Sequence, residues 1–327
     1  MKYDDMLKDK VILITGGTGS FGQKFARRLL EIGACKKIII LSRDEFKQYE
    51  MQQSIPDPGK KLRFFIGDVR DLPRLKRAFA GVDIVVHAAA LKQVPTLEFN
   101  PLEAVKTNVL GTQNVIDAAL DNGVKKVLFV STDKAVNPVN LYGATKLCAE
   151  KLWIAANAYR TNEESMAFSL VRYGNVIGSR GSIIEVLNNQ KKEGVVTLTH
   201  EDMTRFWMAL DQAVDLVLYA LKSMKGGEIF LPKLKAMKVK DLISAVAPNC
   251  KINVIGIRPG EKMHEMLLTE DELKRVRDLG GYYLVEPRQD WWVGDHLGAF
   301  ERVPEDFRYD SDKVDFLKEE DFDGFIR

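Results

Sequence analysis

The 327-residue sequence predicts an α/β fold in which a doubly wound parallel sheet carries a smaller, mixed α/β lobe. Short apolar runs alternate with longer helical patterns through the first half of the chain, which is the rhythm of βαβ units. A glycine-rich turn connects the first apolar run to the first helical pattern, as in sheets of the Rossmann type. Beyond residue 175 the pattern is less regular. We therefore expect a Rossmann domain over residues 1–175 and a second lobe over residues 176–327, with some segments of the lobe returning to the first domain.

Each element is assigned from its hydrophobic periodicity and flanking residues. Six apolar runs have the length of buried parallel strands, and they span residues 11–15, 37–41, 62–66, 83–87, 126–132 and 168–172. Helical patterns cover residues 22–32, 72–80, 101–122 and 141–160. In the second half we predict helices over residues 183–192, 211–223 and 239–247, and strands over residues 228–231 and 251–257.

Composition restricts the function classes. The 48 Lys and Arg residues nearly balance the 46 Asp and Glu residues, so the net charge of +2 does not favour nucleic acid or an anionic membrane as partner. The three cysteines lack metal-like spacing and fit buried thiols in a reducing compartment. The charged N-terminus lacks the apolar core of a signal peptide, and no run has transmembrane length. We expect a cytoplasmic protein without a metal site and without membrane insertion.

The glycine-rich turn has the sequence Thr15-Gly-Gly-Thr-Gly-Ser-Phe-Gly22. Glycines at this point let the backbone approach a pyrophosphate, and the amides that open the next helix point at its charge. Strand, turn, helix and second strand follow in order, which favours a dinucleotide site over a merely structural turn. The predicted contacts are Gly16, Thr18, Gly19, Ser20, Phe21 and Gly22.

The end of the second strand indicates which dinucleotide binds. Arg43 follows Ser42 there, and an arginine suits the 2′-phosphate of NADP. Asp44 comes next and keeps NAD as the less favoured alternative, because a carboxylate suits a free ribose hydroxyl. Asp68 follows the third strand, where it could bond the adenine edge. Further predicted cofactor contacts are Ser42, Lys47, Val69, Ala88, Ala89, Ala90, Asn108 and Val176.

Asp133 and Lys134 end the fifth predicted strand, directly after Thr132 and shortly before the segment Tyr142-Gly-Ala-Thr-Lys146. Tyr142 and Lys146 are one helical turn apart, so they share a face. A nearby ammonium favours the phenolate, which would let Tyr142 exchange a proton with a substrate hydroxyl. Asp133 and Lys134 form a second acid/base pair, for which a solvated surface ion pair is the alternative interpretation.

These motifs in this order resemble the extended short-chain dehydrogenase/reductase family, whose members act mostly on nucleotide sugars. Four segments, residues 131–138, 172–181, 203–207 and 257–264, are similar to the inverting UDP-N-acetylglucosamine 4,6-dehydratases. One departure is Gln93, where those enzymes commonly have histidine. Retaining dehydratases carry a glutamate in the place of Lys134, so this residue favours the inverting class.

The resemblance implies a reaction in which NADP accepts a hydride from the sugar and later returns it. NADP would oxidise C4 of the sugar while Tyr142 takes the hydroxyl proton and Lys146 holds the tyrosine charge and the ribose. Lys134 would then remove the C5 proton, Asp133 would protonate the departing C6 hydroxyl, and the hydride would return to C6 with C5 inverted. For these roles Lys134 needs a lowered pKa and Asp133 a raised one.

The resemblance also implies a UDP-sugar site in the second lobe. Arg258 would bind the diphosphate and Glu261 a ribose or base donor, and the remaining predicted substrate contacts are Lys92, Asn175, Arg180, Thr204 and Arg205. The family forms homo-oligomers through helices such as 101–122 and 141–160. A C4 epimerase and a dehydratase of another UDP-amino sugar remain alternatives. A non-catalytic dinucleotide-binding regulator is the alternative from another class.

Overall fold

A computed structural model describes residues 3–160, 166–288 and 298–318. The strands, in chain order, are β1 (Val11–Thr15), β2 (Lys37–Ser42), β3 (Leu62–Ile66), β4 (Ile84–His87), β5 (Lys126–Thr132), β6 (Ala167–Tyr173), β7 (Asn175–Val176), β8 (Val195–Leu198), β9 (Thr204–Met208), β10 (Ile229–Pro232), β11 (Ala236–Lys238), β12 (Lys251–Val254), β13 (Val276–Asp278) and β14 (Tyr282–Val285).

The helices are α1 (Asp4–Leu7), α2 (Ser20–Ile32), α3 (Glu45–Ser54), α4 (Leu72–Ala78), α5 (Val94–Phe99), α6 (Pro101–Ala104), α7 (Gly111–Asp121), α8 (Leu141–Ala155), α9 (Ile183–Lys191), α10 (Leu210–Ser223), α11 (Val239–Val246) and α12 (Glu270–Leu273). A π-helical turn, Val105–Leu110, joins α6 to α7, and 3₁₀ turns occupy Asp133–Ala135 and Ala156–Tyr159. Within the described ranges, no helix combines the length and the apolar character needed to cross a bilayer.

The larger sheet has nine strands in the order β13-β14-β10-β6-β5-β4-β1-β2-β3. The seven strands from β10 to β3 run parallel, and β14 and β13 add an antiparallel edge. The order reverses between β1 and β4, which is where doubly wound sheets bind their ligands. The predicted Rossmann-type fold is confirmed.

The core of this sheet is apolar on both faces, as parallel sheets require. His87 lies at its centre with no exposed surface, between Thr15 (Oγ1 to Nδ1, 2.6 Å) and Thr112 (Nε2 to Oγ1, 3.2 Å). Its ring stacks against Phe129 and Trp153. Burial lowers the pKa of His87 to about 3, so the ring is a neutral core residue.

The second lobe is built on two small sheets, β11-β9-β7 and β12-β8, with α9 and α11. It has a separate apolar core that includes Leu187, Val196, Trp207, Leu242 and Ile243. Three strands from the second half of the chain, β10, β13 and β14, belong to the larger sheet and not to this lobe. The helix α10 also packs on the first domain, against α2, where Arg28 donates to Asp215 at 2.8 Å.

Most of the elements that the sequence predicted lie within a residue or two of their observed bounds. The predicted helix over residues 101–122 is interrupted by the π-helical turn, and the predicted strand over residues 251–257 ends at Val254. The sequence did not predict β8, β9 or the short strands β7, β11, β13 and β14, and the short strands carry too few residues for a periodic signal. It also missed α3, a ten-residue helix that buries only Gln48 and Met51 and so has no apolar stripe. The three cysteines are free thiols, and Cys148 is exposed rather than buried.

Candidate active site

A cleft of about 730 Å³ lies at the carboxyl ends of the parallel strands, between the larger sheet and the second lobe. All but one of the predicted cofactor residues line it, namely Gly16, Thr18, Gly19, Ser20, Phe21, Gly22, Ser42, Arg43, Lys47, Asp68, Val69, Ala88, Ala89, Ala90, Tyr142, Lys146 and Val176. The exception is Asn108, which is buried beneath the cleft and holds Leu91 through two hydrogen bonds, 2.8 and 2.9 Å long.

The glycine turn forms a cradle that side chains would fill. Gly16 has φ +65°, and a Cβ there would lie 2.8 Å from the Cα of Ala89. A Cβ at Gly22 would lie 2.5 Å from the Cα of Gly17. No side chain caps the N-terminus of α2, so its first amides are left for another acceptor. These residues fit a dinucleotide pyrophosphate.

The two charged residues that follow β2, Arg43 and Asp44, have different surroundings. Asp44 is the N-cap of α3, because its Oδ1 accepts the Lys47 N–H at 3.0 Å and its Oδ2 pairs with Lys47 Nζ at 2.9 Å. These Lys47 hydrogen bonds lower the pKa of Asp44. Arg43 is exposed at the rim of the cleft, with Nη1 3.8 Å from Oδ2 of Asp68. The Arg43 guanidinium, in a long ion pair with Asp68, therefore lies where the sequence expected a 2′-phosphate.

Asp133 and Lys134 are held in a hydrogen-bonded cluster at the end of β5. The Lys134 ammonium donates to Oδ1 of Asp133 at 3.0 Å and to Oδ1 of Asn175 at 3.1 Å. Thr132 donates to the same Asp133 oxygen at 2.8 Å. Asp133 is fully buried, and its Oδ2 has no hydrogen-bond partner among the described residues.

The pKa values of this pair differ partly from the expectation. Burial raises the pKa of Asp133, although the Lys134 ammonium acts in the opposite direction. Burial alone would lower the pKa of Lys134, but the Asp133 and Glu265 carboxylates outweigh it, and the pKa rises above the ordinary lysine value. The mechanism that the sequence suggested requires a lowered Lys134 pKa, through burial or through cations such as Lys92 and Lys146, and the two carboxylates reverse the direction of the shift.

Tyr142 and Lys146 reach the cleft from α8. This helix lies so close to the Asp133–Ala135 turn that a Cβ at Gly143 would overlap the Lys134 carbonyl oxygen. Burial raises the pKa of Tyr142 to about 12, against the effect of the Lys134 ammonium. Burial lowers the pKa of Lys146 to about 7, and its Nζ donates to the Val130 carbonyl at 2.8 Å. Without ligands, the tyrosine is a phenol and the lysine titrates near neutrality.

The predicted substrate residues divide into two groups. Lys92, Asn175 and Arg180 line the cleft, and Lys92 Nζ donates to the Arg180 carbonyl at 3.1 Å. Arg180 also donates its backbone N–H to Oγ of Ser20 at 3.0 Å, so this loop of the lobe touches the glycine turn. The other four, Thr204, Arg205, Arg258 and Glu261, do not line the cleft. Arg258 and Glu261 form an ion pair with each other.

A family model described as polysaccharide biosynthesis protein matches residues 12–287, which include the glycine turn, the Asp133–Lys134 pair and most of the lobe. This chain belongs to the polysaccharide biosynthesis protein family. An inverting UDP-N-acetylglucosamine 4,6-dehydratase of Campylobacter jejuni (serotype O:2) is 50% identical over 284 residues, 86% of this chain and 84% of that protein. A UDP-glucose 4-epimerase of Rickettsia akari is 47% identical over 288 residues, again 86% of this chain and 84% of that protein.

Solved structures of similar proteins have the same fold. Pen from Bacillus thuringiensis has a TM-score of 0.90 at 38% identity, covering 98% of this chain and 97% of that chain. DesIV, a dTDP-glucose 4,6-dehydratase from Streptomyces venezuelae crystallised with NAD, has a TM-score of 0.71 at 23% identity, covering 86% and 93%. The likeness to DesIV concerns the fold alone. The resemblance that the motifs predicted is confirmed by the curated relatives.

Two residues of this family member were not predicted from the sequence. Glu265 lies 3.7 Å from Lys134 Nζ, directly after the quoted segment 257–264. Trp207 ends the quoted segment 203–207 and lines the cleft, and its buried indole N–H has no partner among the described residues. Trp207 lies within a segment that the sequence singled out and Glu265 lies next to one, but no spacing in the sequence pairs either residue with the proposed site.

Proposed function

We propose that this protein is an NADP-dependent, inverting 4,6-dehydratase of UDP-N-acetylglucosamine, a hydro-lyase. The single observation that carries the proposal is the 3.0 Å contact of Lys134 Nζ with Asp133 Oδ1, next to a cleft that Tyr142 and Lys146 also line. The names of relatives such as the Campylobacter jejuni dehydratase support the same reaction. A simple oxidation at C4 requires a tyrosine and a lysine. The adjacent pair, Asp133 and Lys134, adds the acid and the base that elimination of water requires.

The glycine turn would hold the pyrophosphate of NADP, and Arg43 would hold its 2′-phosphate. When bound, the nicotinamide supplies the acceptor for a hydride from C4 of the sugar and its return to C6. NAD is less favoured, because the Asp44 carboxylate that could bind its free ribose hydroxyl is already the N-cap of α3.

Tyr142 would take the proton of the C4 hydroxyl. In the absence of ligands its pKa of about 12 is too high for that role, so a cation must stabilise the phenolate when the substrate binds. Lys146 supplies this cation when anionic ligands raise its pKa from about 7.

Asp133 and Lys134 would reach their reactive states by one proton transfer. Movement of a proton from Lys134 Nζ to Asp133 Oδ1 converts the ion pair into a neutral amine and a neutral acid. The amine then removes the C5 proton, which the C4 ketone has made acidic. Asp133 lies beneath the cleft, so its proton reaches the departing C6 oxygen through the Thr132 hydroxyl, which lines the cleft and bonds Asp133 Oδ1 at 2.8 Å. These two transfers restore the ion pair. Burial of Asp133 favours the neutral state.

The proposal is tested by incubating the purified protein with UDP-N-acetylglucosamine and a catalytic amount of NADP⁺ in heavy water, without added reductant. Mass and proton NMR spectra are then followed. We expect loss of one water per sugar, one deuterium at C5 and inverted configuration at that carbon. Recovery of intact substrate, or loss of water without deuterium at C5, would reject the function.

A C4 epimerase is the second candidate, because relatives such as that of Rickettsia akari are named UDP-glucose 4-epimerase. Epimerisation transfers a hydride away from C4 and back, and it has no step that uses Asp133 or Lys134. Parallel incubation with UDP-glucose separates the two candidates. Formation of UDP-galactose without loss of water would favour the epimerase.

A further inference from the structure

The Lys134 ammonium faces three acceptors from three separate segments. Asp133 Oδ1 lies 3.0 Å from its Nζ, Asn175 Oδ1 lies 3.1 Å away, and Glu265 Oε1 lies 3.7 Å away. The first two contacts are hydrogen bonds and the third is an ion pair, and the two carboxylates favour the charged form of the amine. Glu265 is the partner that the sequence did not predict.

Glu265 is a buried carboxylate with more than one cation around it. The residue is 3% exposed, and its backbone N–H donates to Oγ of Ser311 at 2.9 Å. Besides Lys134, its carboxylate faces Arg205 (Nε, 3.8 Å) and Lys262 (Nζ, 3.6 Å). A buried carboxylate costs free energy unless it is paired. Here the pairing includes the lysine that the proposed reaction uses as its base.

We propose that Glu265 is a positioning residue, which holds the Lys134 ammonium beside Asp133 and sets how readily Lys134 loses its proton. The part that concerns catalysis rests on the proposed function, in which Lys134 removes the C5 proton. Glu265 does not line the cleft, so it acts through Lys134 and not on the sugar.

The charges around Lys134 give the sign of the effect. Asp133 and Glu265 favour its ammonium form, whereas Arg205, Lys262 and Lys92 disfavour it. Tyr142 is neutral in the ligand-free protein. Glu265→Gln keeps the shape of the side chain but removes the negative charge that Lys134 shares with Arg205 and Lys262. Loss of this charge lowers the pKa of Lys134.

The charge state of Lys134 is measured without turnover by competitive labelling with acetic anhydride at a series of pH values, followed by peptide mass spectrometry. Only the neutral amine reacts, and Lys134 is partly exposed, with 25% of its side chain accessible. An opposite charge at this distance shifts a pKa by one unit or more. We therefore expect Glu265→Gln to increase Lys134 labelling about tenfold or more at pH values below its wild-type pKa.

A matched control is Glu228→Gln, which removes another fully buried carboxylate that bonds Ser169 and two backbone N–H groups. It should leave the Lys134 labelling profile unchanged. Glu265→Asp keeps the charge but withdraws it by one methylene, so its profile should move in the same direction by less. If Glu265→Gln does not fold, the aspartate variant decides. A Lys134 profile identical to wild type in the folded Glu265 variants overturns the proposal.

Kinetics separate this inference from the proposed function. In active protein, Glu265→Asp should lower kcat more than it changes KM, because the base is displaced while the sugar contacts remain. Equal kcat in Glu265→Asp and wild type would contradict the positioning role. Failure of the wild type to dehydrate UDP-N-acetylglucosamine would reject the function proposed above, and the labelling experiment would still test the effect of Glu265 on Lys134.

Discussion

At the scale of single residues, position within a turn gives Asp133 and Lys134 different environments. Asp133 begins a 3₁₀ turn at the end of β5, and the Thr132 side chain accepts the Lys134 backbone N–H at 3.4 Å. This turn directs the Asp133 carboxylate into the protein and leaves Lys134 at the cleft. Two adjacent residues of opposite charge thereby occupy different environments, which is the condition for opposite proton-transfer roles.

Removal of the proposed base should stop the step at C5. We expect Lys134→Ala to lower deuterium incorporation at C5 by about 10²–10⁴-fold, the usual contribution of a general base, while NADP binding is retained. Proton NMR in heavy water measures the first quantity and fluorescence titration the second. Lys76→Ala, which breaks an exposed ion pair with Asp121, is the matched control. C5 exchange at the wild-type rate in Lys134→Ala would remove this lysine from the base role.

Cofactor selection should depend on Arg43. A hydrogen bond to a charged group contributes about 1.5–3 kcal/mol, so Arg43→Ala should weaken NADP binding about 10–100-fold and affect NAD little. Titration of both dinucleotides into the variant measures the change in preference. Arg63→Ala, which removes a surface arginine that bonds nearby carbonyls, should leave both affinities unchanged. An unaltered preference between NADP and NAD in Arg43→Ala would contradict the assignment.

At the scale of elements, close backbone contacts place the site. The glycine turn between β1 and α2 lies against Ala88 and Ala89 after β4. The absence of a side chain at Gly143 similarly lets α8 approach the turn that carries Lys134. Glycine at these positions is therefore a steric requirement, which explains why the turn and the tyrosine helix carry recognisable motifs.

The steric requirement at Gly16 is testable against a second glycine of similar conformation. Gly16→Ala adds a Cβ 2.8 Å from the Ala89 Cα at φ +65°, whereas Gly81→Ala adds one at φ +70° with no described atom within 4 Å. Both should cost about 1–2 kcal/mol of stability for the left-handed backbone. Only Gly16→Ala should also weaken NADP binding, as measured by fluorescence titration. Equal NADP affinity in the two variants would contradict the proposal that the glycine turn holds the pyrophosphate.

At the scale of the whole molecule, buried charges join a late segment of the chain to the core of the larger sheet. Arg172 on β6 is 1% exposed and donates to Glu150 on α8 at 2.7 Å and to Glu272 on α12 at 2.9 Å. Glu150 in turn accepts from Ser131 at the end of β5, beside the cleft. A late segment of the chain is thus attached to the strand and the helix that carry the proposed catalytic groups.

This network should make stability depend on pH. Burial opposes the Glu272 charge, but Arg172 outweighs it and lowers the pKa from 4.5 to about 2. The stabilisation is therefore complete above the unfolded value and is lost as pH falls from about 4.5 towards 2. The shift corresponds to roughly 3 kcal/mol. Urea unfolding of Glu272→Gln should show a loss of this order at pH 7 and a smaller difference from wild type at pH 3. An equal difference at both pH values would contradict the assignment.

The sequence by itself determined the βαβ order and the glycine turn, and it predicted the roles of Arg43 and of the acid/base residues. Each of these is encoded by a short local pattern, because strand periodicity, turn glycines and an i,i+4 pair depend on neighbouring residues. It also predicted that some later segments return to the first domain. It did not identify β13 and β14 as those segments, because strands of three and four residues carry little periodicity.

Only the tertiary structure decided the environment of Lys134. Its pKa is raised, although the mechanism suggested by the sequence requires a lowered one, because the Asp133 carboxylate lies at 3.0 Å and Glu265 comes from a distant segment. Likewise, Arg258 and Glu261 pair with each other outside the cleft, whereas Lys92 and Arg180 meet across it. Local patterns specify which groups a chain carries, but electrostatic interactions depend on distances that only folding fixes.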